Sequence, residues 1–357
     1  MKDKIIISIA TLGSGGAERV LSVLSTPLAD NFAEVQYVLW EGGKSFYPID
    51  SRVKIVSLPE LSGRKGRNRQ ITTFRRYIRK ERPDLVLSFL TRYNMLVLLS
   101  TIGMKQKVIV AERTDPKRLL AGGEMGLWLR DALYHRATGI LTQTEYAKSC
   151  YDEKFEGKTA VIHNPVTMND EQVGMALKTP KEHVFVTAGR LEPVKDQTMM
   201  IEAFGAFHKS HPDYRLLIYG EGPMREMLQR QINSLGLQDA VVLAGRTNDL
   251  WNKIACAECF LLTSEYEGMS NALIEAMCLG LPVISTKVAG ATDLIEDGEN
   301  GFLIDVHDKK NLTKRMTILA DGPEQREQMG RRSSGIYEQV RQEKIVKQWI
   351  EYLKEKI

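Results

Sequence analysis

Two cations and two carboxylates carry the most readable chemistry in this chain. Arg190 and Lys195 stand in Ala-Gly-Arg190-Leu-Glu-Pro-Val-Lys195-Asp, and Glu267 and Glu275 in Glu267-Gly-Met-Ser-Asn-Ala-Leu-Ile-Glu275. A guanidinium clamps two phosphate oxygens at once, and an ammonium adds a point charge. Each such charge-assisted bond contributes about 1.5–3 kcal/mol. A carboxylate accepts two hydroxyl hydrogens from a vicinal diol, which suits a ribose or a hexose. Cations for a diphosphate and carboxylates for sugar hydroxyls point to a nucleotide-sugar site. Plainer roles stay open at this point. Arg190 and Lys195 could pair with Glu192 or Asp196, Glu275 could bond backbone or an arginine, and Glu267 could simply face solvent.

A third element sits near the start. Gly15-Gly16-Ala17-Glu18-Arg19 opens a helix directly after an apolar run. Glycines there admit close backbone approach, and a helix N-terminus offers free N–H groups to an anion. An ordinary strand-to-helix turn would look the same.

These residues need a scaffold. Apolar runs rich in β-branched residues recur at 5–9, 35–39, 85–89, 108–110, 140–142 and 161–162, and again at 184–187, 216–219, 241–243, 260–262, 283–285 and 302–304. Segments of helical length separate them. Near-continuous apolar strands alternating with amphipathic helices indicate parallel sheets covered on both faces, the doubly wound α/β pattern, and it occurs twice. The expected division is a first domain over 1–166, a polar linker over 167–182, a second domain over 183–335 and a terminal helix over 336–357. Ile345, Trp349 and Leu353 form one apolar stripe on that helix, which is expected to return to the first domain. Ligands in such sheets bind beyond the carboxyl ends of strands. Gly15, Arg190 and Glu267 all follow apolar runs, so two facing sheets would line a cleft with them.

At 357 residues, two domains are the natural division, and 43% hydrophobic with 26% charged residues marks a globular chain. The net charge of +4 is uneven: residues 1–178 carry 27 Lys/Arg against 19 Asp/Glu. A basic first half favours an anionic partner. The densest part is 64–82, with Arg64, Lys65, Arg67, Arg69, Arg75, Arg76, Arg79, Lys80 and Arg82 against the single acid Glu81. Ile71, Phe74 and Ile78 give it a helical apolar seam. Such a helix can lie on anionic lipid, at about 1 kcal/mol per cation. It lacks a recognition motif and interleaved aromatics, so nucleic acid is not expected. No stretch approaches the roughly 18 apolar residues of a spanning helix, and no leader is visible. The expected place is the cytoplasm, with a peripheral position on the inner face of the cell membrane as an option. Cys256-Ala-Glu-Cys259 has no second pair or nearby histidine, so buried thiols are expected rather than a metal site.

Taken together, the motifs resemble one family. The chain is similar to the retaining bacterial glycosyltransferases of group 1, family 4, with the two-Rossmann GT-B fold. The resemblance rests on Gly15-Gly16-Ala-Glu-Arg, Val161-Ile-His-Asn164-Pro165-Val, Ala188-Gly-Arg190-Leu…Lys195, Gly220-Glu-Gly222-Pro, Leu243-Ala-Gly245-Arg246 and the Glu267/Glu275 element. It implies that Arg190 and Lys195 hold the diphosphate, with Gly15 and Gly16 approaching it. Glu275 would bind the ribose and Glu267 would face the donor sugar. The N–H groups of Gly268, Met269, Ser270 and Asn271 would meet sugar and phosphate oxygens, and Arg246 or Thr247 would seat the base. It also implies departure of the diphosphate from the front face, with no metal, no cofactor and no covalent intermediate. The donor is expected to be a UDP-sugar, with a GDP-sugar second, and the acceptor a lipid-linked or polysaccharide glycan. A nucleotide-sugar 2-epimerase and a non-catalytic partner subunit are the alternatives. Many relatives carry a histidine in the loop that here reads Ala111-Glu112-Arg113-Thr114-Asp115, so Arg113 or Asp115 becomes the candidate contact to sugar or acceptor.

Overall fold

In a computed structural model, residues 3–62, 67–116, 123–155 and 157–357 are described, with 67 and 68 described by backbone only. Arg64 and Lys65 of the basic stretch lie outside them. The chain divides into two compact units, Met1–Pro165 with Gln342–Ile357, and Val166–Arg341.

The first unit holds seven strands: β1 (Lys4–Ile9), β2 (Glu34–Leu39), β3 (Lys54–Ser57), β4 (Leu85–Phe89), β5 (Val108–Ala111), β6 (Gly139–Thr142) and β7 (Thr159–Val161). They form one parallel sheet in the order β3-β2-β1-β4-β5-β6-β7. The second unit holds six: β8 (Val184–Ala188), β9 (Arg215–Tyr219), β10 (Val241–Gly245), β11 (Cys259–Leu262), β12 (Val283–Thr286) and β13 (Gly301–Ile304). Their order is β10-β9-β8-β11-β12-β13, again parallel. Each order reverses direction once, between β1 and β4 and between β8 and β11. Such reversals are where doubly wound sheets open to ligands, because the helices on either side depart to opposite faces.

The period of two along each strand divides the cores. Ile5, Ile7 and Ile9 pack on one face of the first sheet with helices Gly16–Asn31 and Gln342–Lys356. Ile6 faces the other way, toward helices Arg67–Glu81, Thr91–Ser100 and Gly123–Tyr134. Val184 and Val186 against Phe185 do the same in the second unit.

Three features depart from the sequence expectation. Strand β3 is not announced by an apolar run, because this edge strand leaves Lys54 and Ile55 exposed. Residues 167–182 are not a linker. They contain helix Asp170–Ala176, whose first turn is closed by a capping box: Asn169 Oδ1 accepts from Gln172 N, and Gln172 Oε1 accepts from Asn169 N, both at 2.9 Å. Its polar residues are caps and outer face, while Val173 and Ala176 enter the core of the second unit. Residues 336–341 also belong to the second unit, where Val166 N bonds Val340 O at 2.9 Å.

Helix Gln342–Lys356 completes the first unit with its stripe. Ile345, Trp349 and Leu353 are buried, and Trp349 stacks on Phe89 at 5.9 Å between centroids. Among the described residues no helix is long and apolar enough to cross a membrane. Cys259 and Cys278 are buried and free, and burial pushes both thiols up. Trp349→Ala is expected to destabilise the first unit by about 3–5 kcal/mol through the cavity it leaves. Urea unfolding would measure it, and a cost below about 1 kcal/mol would mean that the terminal helix does not carry this core.

Candidate active site

Arg190 follows β8 on a loop whose backbone is clamped to the turn after β9. Gly189 N bonds Tyr219 O, Leu191 N bonds Glu221 O and Met224 N bonds Leu191 O, each at 3.0 Å. That clamp needs glycine at 220. Its φ is +137°, and a Cβ there would stand 1.8 Å from Gly189 O. Gly220 N in turn bonds Gly245 O at 2.8 Å, which ties in the end of β10. The three loops after β8, β9 and β10 are therefore one backbone-bonded surface. Arg190 rises from it largely exposed, with Nη1 2.8 Å from Glu192 Oε1. The ion pair with Glu192 weighed in the sequence is thus present. Arg246 is exposed after β10, and Thr247 Oγ1 accepts from Asp249 N at 3.0 Å.

Lys195 ends a single 3-10 turn, Pro193–Lys195. The next residue, Asp196, lies in the left-handed region at φ 44° and caps helix Gln197–His208 by accepting from Met199 N at 3.2 Å. Thr263 Oγ1 donates to Lys195 O at 2.8 Å, and Glu265 N bonds Val194 O at 2.8 Å. These bonds join the loop after β8 to the loop after β11, across the reversal of the sheet. There the Lys195 ammonium meets the Glu267 carboxylate directly. Both side chains are largely covered, at 18% and 16% exposure, so water screens this pair less than it screens a surface bridge. Ser264 Oγ donates to the same Glu267 Oε1 at 3.2 Å. The sequence treats these residues as binders of separate donor parts. The fold makes them neighbours.

Ser270 caps helix Asn271–Cys278, its Oγ accepting from Leu273 N at 3.4 Å. Gly268 to Asn271 thus form the entry to a helix, with N–H groups and positive dipole end at the carboxyl edge of the sheet. Gly290 lets the next helix approach them. A Cβ at 290 would lie 2.3 Å from Gly268 O. Glu275 is one turn into the helix and 3% exposed. Thr286 Oγ1 donates to Ser264 O at 2.6 Å and anchors the loop from β12.

Several positioning residues carry no local signal. Ser264, Thr263 and Thr286 act through strand order. His307, itself at φ 63°, contacts Asp196 with Nδ1 2.8 Å from Oδ2, across 111 positions.

In the first unit, Gly15 precedes helix Gly16–Asn31 without a side-chain cap, and residues 14–16 are exposed. The carboxylate of Glu18 in the first turn lies over Gly15. The loop after β5 corrects one expectation. Arg113 does not point outward. Its guanidinium lies 4.8 Å from the Phe89 ring and 5.4 Å from Trp349, and Nη1 donates to Asn164 Oδ1 at 3.1 Å. Burial pushes this group down to about 9. Glu112 beside it is buried, accepting from Thr91 Oγ1 at 2.7 Å and Asn94 Nδ2 at 3.1 Å and touching the Tyr134 hydroxyl. Arg113 is half-buried, with its guanidinium against Trp349 of the returning helix. Asp115 is half-buried.

The comparisons with known proteins cover almost the whole chain. The family model described as Glycosyl transferases group 1 matches residues 169–334, and that of Glycosyltransferase Family 4 matches 14–170. A Campylobacter jejuni enzyme, named as the alpha-1,4-N-acetyl-D-galactosaminyltransferase acting on a diNAcBac-PP-undecaprenol-linked GalNAc acceptor, is 26% identical over 99% of this chain and 98% of its own. The amylovoran biosynthesis glycosyltransferase AmsD of Erwinia amylovora is 24% identical over 98% and 99%. Among solved structures, Anabaena HepE in complex with UDP-glucose superposes with a TM-score of 0.79 at 19% identity, covering 99% of both chains. S. aureus TarM gives 0.80 at 16%, covering 98% of both. At these identities the structural likeness establishes the fold, which is GT-B.

Gly220→Ala is expected to destabilise the second unit by about 2–4 kcal/mol, from forced backbone strain and overpacking together. Urea titration would measure this, and a neutral substitution would mean the loop clamp is not tight.

Proposed function

Because the chain belongs to the group 1, family 4 glycosyltransferases, we propose a specific transfer for it. It moves a hexose or N-acetylhexosamine from a nucleotide-diphosphate sugar, UDP-linked first and GDP-linked second, with retention of anomeric configuration and without metal. The acceptor is a lipid-linked or polysaccharide glycan. The names of the relatives support the acceptor class, and the UDP-glucose bound to HepE supports the base.

The observation that carries this reading is the Lys195–Glu267 contact at the β8/β11 reversal. A cation and a carboxylate meet beside a helix N-terminus, with Arg190 on the adjoining loop. A diphosphate placed there exchanges its oxygens for Glu267 on the Lys195 ammonium and frees that carboxylate for sugar hydroxyls. The bond from the anomeric carbon to the phosphate oxygen breaks, and the new bond to the acceptor oxygen forms on the same face. The acceptor proton passes to the departing phosphate. Arg190, Lys195 and the N–H groups of Gly268 to Asn271 stabilise the negative charge that develops, so catalysis is electrostatic. Glu275 takes the ribose, and Arg246 or Thr247 adjoins the base.

The exposed cations Arg69, Arg76, Arg79 and Lys80 along helix Arg67–Glu81 support docking at an anionic membrane. The protein would then act peripherally on the inner face. Equal sedimentation with neutral and anionic vesicles would refute this part.

A thermal-shift screen of nucleotide sugars tests the donor site. A ligand at 100 times its Kd raises stability by about 2.7 kcal/mol. Lys195→Ala and Glu275→Ala should each weaken the ligand roughly tenfold to a hundredfold, given about 1.5–3 kcal/mol per charge-assisted bond. Unchanged shifts in both variants would sink the site. Turnover of UDP-GlcNAc with no acceptor present would replace the reading with an epimerase.

A further inference from the structure

The first sheet carries a cavity at the opposite end from the Gly15–Gly16 turn, beside the amino ends of β4 and β5. Its volume is about 530 Å³, and Ile78, Arg79, Arg82, Pro83, Met104 and Lys105 line it. The lining divides by chemistry. Ile78 and Pro83 are buried and Met104 is half-buried, giving an apolar floor. Arg79, Arg82 and Lys105 are exposed cations at the rim. Among the described residues none of the three has a carboxylate partner. The adjacent acids are engaged elsewhere: Glu81 contacts Lys4 and accepts from Gln36 Nε2 at 3.1 Å, and Asp84 accepts from Lys4 N at 2.8 Å.

The cations do not hold the cavity together. Arg75 does so from the helix, donating to Ser100 O at 2.8 Å and Ile102 O at 2.6 Å. Gln106 does so from the other wall, donating to Pro83 O at 3.1 Å. Arg82 meanwhile occupies a position at φ 46° that suits glycine, closing its helix with an N–H bond to Ile78 O at 2.9 Å. A long cationic side chain stands where the backbone favours none. Three cations along one rim make that edge positive, which favours an anion there. Guanidinium groups fit phosphate oxygens through paired donors. The depression is open to solvent on one side and has room for a phosphate with a short carbon body.

We propose that this cavity binds a phosphate ester, with the phosphate on Arg79, Arg82 and Lys105 and the carbon body on Ile78, Pro83 and Met104. The ester is either a soluble small molecule or the headgroup of a phospholipid, and the chemistry of recognition is the same. The site lies in the first unit and is independent of the donor reading for the second.

Glycerol phosphate is the soluble probe, titrated calorimetrically into the parent chain, Arg82→Gly/Lys105→Ser, Arg69→Ser/Arg76→Ser and Lys195→Ala. The parent should bind, more weakly as salt rises. The cavity variant should bind at least roughly tenfold more weakly, having lost two charge-assisted contacts. The other two variants should match the parent. Arg82→Gly suits the local φ, so the cavity variant should melt no lower than the parent, which separates lost binding from lost folding. No binding by the parent, equal binding by the cavity variant, or loss in Lys195→Ala alone would overturn the proposal. Sedimentation with vesicles of equal phosphatidylglycerol and phosphatidylcholine names the source. A cavity variant that loses both probes identifies a lipid headgroup, and one that loses only glycerol phosphate identifies a soluble ester.

Discussion

The meeting of Lys195 with Glu267 is the constraint around which the second unit is arranged. The two residues are 72 positions apart and reach each other because β8 and β11 are neighbours in the sheet. A largely covered cation and carboxylate need each other, since an unpaired charge in such a place is costly. The bonds from Thr263 and Glu265 to the Lys195 loop hold the same two loops together independently of the charges. The pair is therefore positioned by backbone and strand order, and its electrostatics reinforce a geometry already set.

Around that pair the loops are held by close backbone approach more than by side chains. Gly220 against Gly189 and Gly290 against Gly268 remove the Cβ atoms that would part the loops. The result is a closely packed backbone rim that carries N–H groups and two cations at the carboxyl edge. Rigidity matters for the chemistry inferred here, because dipoles that are already oriented stabilise developing charge without reorganising.

The first unit uses its charged loop differently. Arg113 and Glu112, which follow β5 at the carboxyl edge, are turned inward. The arginine is sandwiched between Phe89 and Trp349, and the glutamate is ringed by hydroxyl and amide donors. The helix that arrives from the far end of the chain supplies Trp349, so the terminal segment decides where Arg113 points. The glycine turn at one end of the sheet and the basic rim at the other stay exposed.

Much of this was legible in the chain itself. Strands buried on both faces must be continuously apolar, so the runs at 5–9, 184–187 and 260–262 announced parallel sheets, and the residues following them marked the site. The glycine turn at Gly15–Gly16 was legible for the same local reason. Strand β3 was not, because an edge strand with solvent on one side needs no apolar run. The segment 167–182 misled because caps and an exposed helix face look like a linker when the buried Val173 and Ala176 are only two residues. Sequence alone thus determined the period, the glycines and the chemical types at the site, since these depend on neighbours along the chain. Tertiary structure alone decided that Lys195 pairs with Glu267, that His307 reaches Asp196 and that Arg113 lies under Trp349, because strand order and the path of the last helix bring together residues that no local pattern connects.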